Sequence, residues 1–131
     1  QYWYPEFDLK RRLPLDEPEG TRANGGMVKF VPGRIGQAVE LDGKTWLDAG
    51  FQAANFDIED RFTMSFWVQA DRVPDGSLVS RSNDRPRGRG FGMEARQGKL
   101  YLHFTSDYDD DAIRMTSRET VLKAGAWQHI G

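Results

Sequence analysis

Residues 62–70, FTMSFWVQA, alternate strictly: Phe62, Met64, Phe66, Val68 and Ala70 fall on one side, and Thr63, Ser65, Trp67 and Gln69 on the other. A period of two held over this length, in a stretch rich in aromatic side chains, predicts a long strand with one face on a core. Coiled into a helix, the same stretch would scatter both sets around its circumference, so the stripe can be buried only in a sheet. Trp67 falls on the polar side, which leaves a large aromatic ring away from the main apolar stripe.

The rest of the chain supplies partners for such a strand. Residues 27–31 and 37–41 are short strand candidates separated by a turn at Pro32-Gly33, and Asp42-Gly43 predicts a hairpin whose return strand is 45–48. Residues 77–81, 91–96, 99–106, 112–116 and 127–130 continue the series, with Gln97-Gly98 as a further hairpin turn. Residues 50–61 form a connection with room for one helical turn. At the start, 1–7 supports at most an edge strand because of Pro5, and 8–24 mixes charges with Pro14, Pro18 and Gly20, which predicts an irregular lead-in. No segment keeps a 3.6-residue period for three turns. Many short strands broken by glycine predict an all-β fold, an antiparallel two-sheet sandwich or jelly roll, in a single domain over residues 1–131.

Charge and composition remove several function classes. The chain has 18 basic and 20 acidic residues, a formal charge of −2, and so offers no global attraction to nucleic acid or an anionic membrane. It has no cysteine, which excludes disulfides, thiolate metal sites and covalent c-type haem attachment within it. No apolar run approaches the roughly 20 residues that cross a bilayer, so no membrane insertion is expected.

Three constellations carry chemistry. If strands 62–70, 91–96, 99–106 and 112–117 are neighbours, Trp67, Glu94, Arg96, Tyr101, His103 and Arg114 share one side, opposite Phe66, Met93, Leu100, Leu102, Phe104, Ile113 and Met115. An aromatic plate ringed by Arg, Glu and His suits a saccharide: Trp67 and Tyr101 would stack on pyranose rings, and Glu94, His103 and Arg114 would hydrogen-bond hydroxyls. The alternative is that Trp67 packs under a loop and the charges form cross-strand pairs. In the second constellation, Asp107, Asp109 and Asp111 crowd carboxylates on one turn, with Asp84 and Asp75 in other loops, and calcium is the cation such oxygens would take. The spacing is not that of an EF-hand, and a solvated hairpin tip is the plainer reading. The third is the basic loop 80–90, with Arg81, Arg85, Arg87 and Arg89, which suits phosphate or sulfated glycans or is simply a surface loop. It lacks the interleaved aromatics that stack bases.

Catalysis finds little support. No E-x-D-x-x-E pattern places paired carboxylates on alternate strand positions, and Asp57, Glu59 and Asp60 lie in a connection. His103 and His129 are the only histidines, and no Ser sits in a G-x-S-x-G turn.

GRIGQAVELDG (33–43), FTMSFWV (62–68), SLVSR (77–81), GFGMEARQGKLYLHF (90–104) and AGAWQHIG (124–131), in this order and spacing, resemble the laminin G-like, concanavalin A-like jelly-roll family. DAIRMTS (111–117) beside GAWQHIG is similar to the version of this module found within large planctomycete proteins that also carry cytochrome c-type domains. The resemblance implies two stacked antiparallel sheets with ligands on a concave face or loop rim, often with calcium at the rim. It implies a non-catalytic, extracytoplasmic module (periplasmic or secreted) of a larger protein, whose partner is carbohydrate or neighbouring domains of the same polypeptide. The family continues through further strands after the position of WQHIG, so the expectation is a domain incomplete at its C-terminus, with an open sheet edge.

Overall fold

The computed structural model describes residues 22–50, 53–55, 60–82, 89–106 and 112–131. Among these the chain is all-β: it contains no helix, and every strand ladder is antiparallel. Two compact units divide it, Gln1–Asn55 and Phe56–Gly131.

The first unit holds β1 (Arg22–Asn24), β2 (Lys29–Pro32), β3 (Gln37–Glu40) and β4 (Trp46–Asp48). β2 and β3 form the expected hairpin, closed where Gly33 N–H donates to the Gly36 carbonyl at 2.9 Å and with a Lys29–Glu40 ion pair at 3.0 Å across its open end. The hairpin expected at Asp42-Gly43 does not form. β4 pairs with β1 instead, in the register Arg22↔Asp48, Ala23↔Leu47, Asn24↔Trp46. The reason lies in Asp42, whose Oδ1 accepts from Lys44 N–H at 2.9 Å and Thr45 N–H at 2.8 Å. A carboxylate that captures the amides two and three residues on builds a side-chain turn and redirects the chain in place of a two-residue backbone turn. β1 itself falls in the run expected to be irregular. The lead-in before it lies outside the described residues.

The second unit holds β5 (Phe66–Val68), β6 (Gly76–Ser82), β7 (Gly90–Arg96), β8 (Lys99–Thr105), β9 (Ile113–Thr116) and β10 (Gln128–Ile130). β6 to β9 form one four-stranded meander, and β5 pairs only with β10 among the described residues. The long strand expected over 62–70 is thus three residues long, because β10 offers only three partners. From Met64 onward the alternation survives without the ladder: Met64, Phe66, Val68 and Ala70 are half-buried, while Thr63, Ser65, Trp67 and Gln69 are exposed; Phe62, expected on the buried side, is exposed. Beyond β5 the chain is held by Gly125 N–H donating to the Ala70 carbonyl at 2.8 Å and by the Gln69 amide donating to the Gly125 carbonyl at 3.1 Å.

The ribbon and the meander make a two-layer, sandwich-like arrangement. Phe66, Val68 and Ile130 from the ribbon meet Leu78, Met93, Ala95 and Leu100 from the meander, and buried Leu122 joins the same cluster. Phe62, Phe91 and Phe104 extend this apolar layer as a ring cluster with centroids 5.8 to 6.0 Å apart. The Gln128 side chain ties the layer's loop in place, accepting from Lys123 N–H at 2.6 Å and donating to the Val121 carbonyl.

Candidate functional site

The register of the β7–β8 hairpin builds the site. Gln97 and Gly98 both adopt positive φ, 52° and 79°, the conformation a two-residue type I′ turn requires. Gly98 N–H donates to the Pro74 carbonyl at 3.1 Å, and its own carbonyl accepts from Val121 and Leu122 N–H at 3.0 and 2.8 Å. A turn so anchored fixes Arg96 opposite Lys99, Glu94 opposite Tyr101 and Gly92 opposite His103; β9 then sets Arg114 beside His103 and Thr116 beside Tyr101. Directly opposed residues in a sheet project to the same side, so Glu94, Arg96, Lys99, Tyr101, His103 and Arg114 share the outer face of the meander.

Within this face the side chains hold one another. Arg96 donates from Nε and Nη2 to Glu94 Oε2 at 3.1 and 3.0 Å, and its guanidinium carbon lies 3.4 Å from the centre of the Tyr101 ring. The Tyr101 and His103 rings follow at 6.0 Å, tilted by 36°. His103 lies across Gly92, where a Cβ would collide with its imidazole. Glycine at that position therefore provides the bed on which the ring rests. A shallow depression opens at the turn end, lined by Asp75, Gly76, Glu94, Ala95, Arg96 and Gln97. Asp75 Oδ1 accepts from Gln97 N–H at 3.3 Å, which links the depression's rim to the turn. The sequence groups Asp75 with the acidic loops; the β6–β7 pairing places it at this depression instead.

Trp67 does not join this face. It lies on β5 opposite His129, ring centroids 5.1 Å apart, on the side of the ribbon that turns away from the core. Phe66 and Val68 face the meander's inner side, so Trp67 and the Tyr101 face project from opposite layers. Its exposure is 42%, which leaves part of the indole open. The Tyr101 plate expected to stack on sugar is already covered on one face by Arg96.

Asp107, Asp109 and Asp111 lie outside the described residues, as do Asp84, Arg85, Arg87, Asp57 and Glu59. Among the described residues no group of three or more His, Asp or Glu is placed to hold a metal ion, and no helix is long and apolar enough to cross a membrane. Arg81 of the basic loop lies in β6, opposite Phe91, and Arg89 immediately precedes β7. The two histidines sit in different layers, His103 on the meander and His129 on the ribbon.

No protein-family model matches the chain, and comparison with curated proteins and with solved structures likewise gave no match.

Proposed function

We propose that this chain is a non-catalytic recognition module of the laminin G-like, jelly-roll kind, which binds carbohydrate on the outer face of its four-stranded sheet as part of a larger exported protein. The observation that carries the reading is the convergence of Glu94, Arg96, Tyr101, His103 and Arg114 on one face, with the Glu94–Arg96–Tyr101 stack and the Gly92 bed holding side chains in place. Sugar hydroxyls need acceptors and donors held in fixed positions, and a polar face whose side chains are already mutually ordered loses less entropy on binding. The Tyr101 hydroxyl, the Arg96 guanidinium edge, His103 and Arg114 are the contacts, and Trp67, in the other layer, is not among them. The chain is to be tested on an array of plant, algal and bacterial polysaccharides. Binding that falls about tenfold in Tyr101→Ala and Arg114→Gln while Trp67→Ala stays as wild type supports the reading; absence of binding across the array refutes it.

A second reading rests on a different observation. Ile113 and Met115 of β9 belong by register to the meander's inner side, yet both are exposed. An interaction domain that packs this strand against a neighbouring domain, with no sugar ligand, would use them. Ile113→Asp would then disrupt assembly with that neighbour, whereas a lectin would keep its glycan affinity.

A further inference from the structure

The first unit carries its own candidate ligand face. In the β1–β4 ladder Asn24 stands opposite Trp46 and Arg22 opposite Asp48, so these four side chains share one face, while Ala23 and Leu47 take the other. Trp46 is 58% exposed, the most exposed aromatic residue among those described. Its position is nonetheless defined. Gly25, at a φ of +81°, lies beside the indole, where an added Cβ would stand 3.1 Å from Cζ3 and would also collide with the Lys44 carbonyl. The preceding residue, Thr45, is buried, and its N–H is held at 2.8 Å by Asp42 Oδ1. An indole seated on a glycine and fed by a side-chain-locked turn is presented to solvent in one place.

The surroundings of that plate decide its chemistry. Asn24 uses one amide hydrogen on the Arg22 carbonyl at 3.3 Å and keeps its oxygen and second hydrogen for a ligand. Asp48 Oδ1 accepts from Gly50 N–H at 2.8 Å, which orients the carboxylate and leaves Oδ2. Arg22 adds guanidinium donors beside it. An apolar protein partner would want neighbouring apolar side chains here, and the ladder face supplies polar ones. A pyranose matches it better: its C–H face covers an indole, and its rim of hydroxyls meets an amide, a carboxylate and a guanidinium. We propose that Trp46, with Asn24, Asp48 and Arg22, forms a second saccharide-binding site for a neutral pyranose chain, distinct from the Tyr101 face and independent of it.

The test follows the indole N–H resonance of Trp46, assigned by its loss in Trp46→Phe, during titration of the intact chain with cellohexaose, xylohexaose and mannohexaose. The expected result is a saturable shift of that resonance with at least one of these, weakened about tenfold or more in Trp46→Ala, as read by calorimetry, and in Asn24→Ala, and unchanged in Tyr101→Ala. Trp46 is exposed, so its truncation leaves the fold intact, which the rest of the amide spectrum checks. No shift of the Trp46 signal with any of the three sugars overturns the proposal. So does a shift that depends on protein concentration and not on sugar, which would mark a self-association surface. If Tyr101→Ala alone abolishes binding, the sheet-face reading stands and the second site falls.

Discussion

The guanidinium of Arg96 lies 3.4 Å above the Tyr101 ring while both of its bonded nitrogens reach the same oxygen of Glu94. Three residues that alternation places on one side of a sheet are thereby locked into one stack. One face of the ring expected to stack on a sugar is taken by the guanidinium.

Removing that cover tests how much it contributes. Arg96 and Glu94 are both partly exposed, so their ion pair is worth at most about 1 kcal/mol, and the cation–π contact about 0.5–1 kcal/mol. Arg96→Gln is therefore expected to lower stability by roughly 0.5–2 kcal/mol in urea denaturation. A loss of several kcal/mol would mean that the stack supports the hairpin rather than decorating it.

The β7–β8 turn is a stronger determinant. Gly98 holds a φ of +79°, and an added Cβ would sit 2.7 Å from a Thr120 methyl and 2.9 Å from the Leu122 carbonyl. Left-handed backbone costs a non-glycine residue about 1–2 kcal/mol before any clash, so Gly98→Ala should destabilise by more than that range. Gln97 has a positive φ but a side chain that gains nothing from it, so Gln97→Asn, the residue that favours this turn position, should be neutral or slightly stabilising. Thermal melts of the two variants moving in the same direction would contradict the turn assignment.

Gly92 and His103 should be energetically coupled. A methyl at 92 has nowhere to go except into the imidazole, so Gly92→Ala is expected to cost about 1–3 kcal/mol, the range for overpacking. In a His103→Ala background the same change should be nearly free. A double-mutant cycle with no coupling would show that the ring does not rest on the strand.

The ring cluster divides unequally. Phe91 is 2% exposed and Phe62 41%, although both lie about 6 Å from Phe104. Truncating a buried phenylalanine costs about 3–5 kcal/mol, so Phe91→Ala should approach unfolding and Phe62→Ala should cost clearly less. Equal losses in denaturant would place Phe62 in the core.

The sequence made legible what depends on local pattern. From Met64 to Ala70 the alternation sorts burial correctly even where no ladder forms, while Phe62 at its start is exposed, and Gln97-Gly98 names its own turn because only certain residues tolerate positive φ. What stayed hidden is non-local. Nothing in FTMSFWVQA says that its partner is QHI at the far end, and that pairing is what carries Trp67 to the layer opposite Tyr101. The register of Glu94 against Tyr101 was legible because one short turn sets it. Asp42-Gly43 misleads for the converse reason: the dipeptide favours a hairpin, but the aspartate side chain competes with the backbone for the same amides and wins. β1 carries no alternation in its three residues and could be found only through its partner.

That same aspartate supplies the pH dependence of the first unit. The backbone N–H groups of Lys44 and Thr45, Lys44 the larger influence, hydrogen-bond the Asp42 carboxylate and hold its pKa below the usual carboxylate range. A depressed carboxylate stabilises the fold fully above the unfolded-chain value, about 3.9, and loses that contribution as the pH falls through the lower folded value. The group is exposed, so the effect is local and weakened by salt. As the pH falls below the ordinary aspartate range, the 42–45 turn should loosen, and Trp46, fed directly by it, should report the change through its indole resonance. Asp42→Asn keeps an oxygen that accepts from the same amides but cannot titrate, so in that variant the Trp46 signal should stay constant across the acid range. An unchanged titration of the indole in Asp42→Asn would assign the acid transition to another carboxylate and break the link between the turn and the exposed tryptophan.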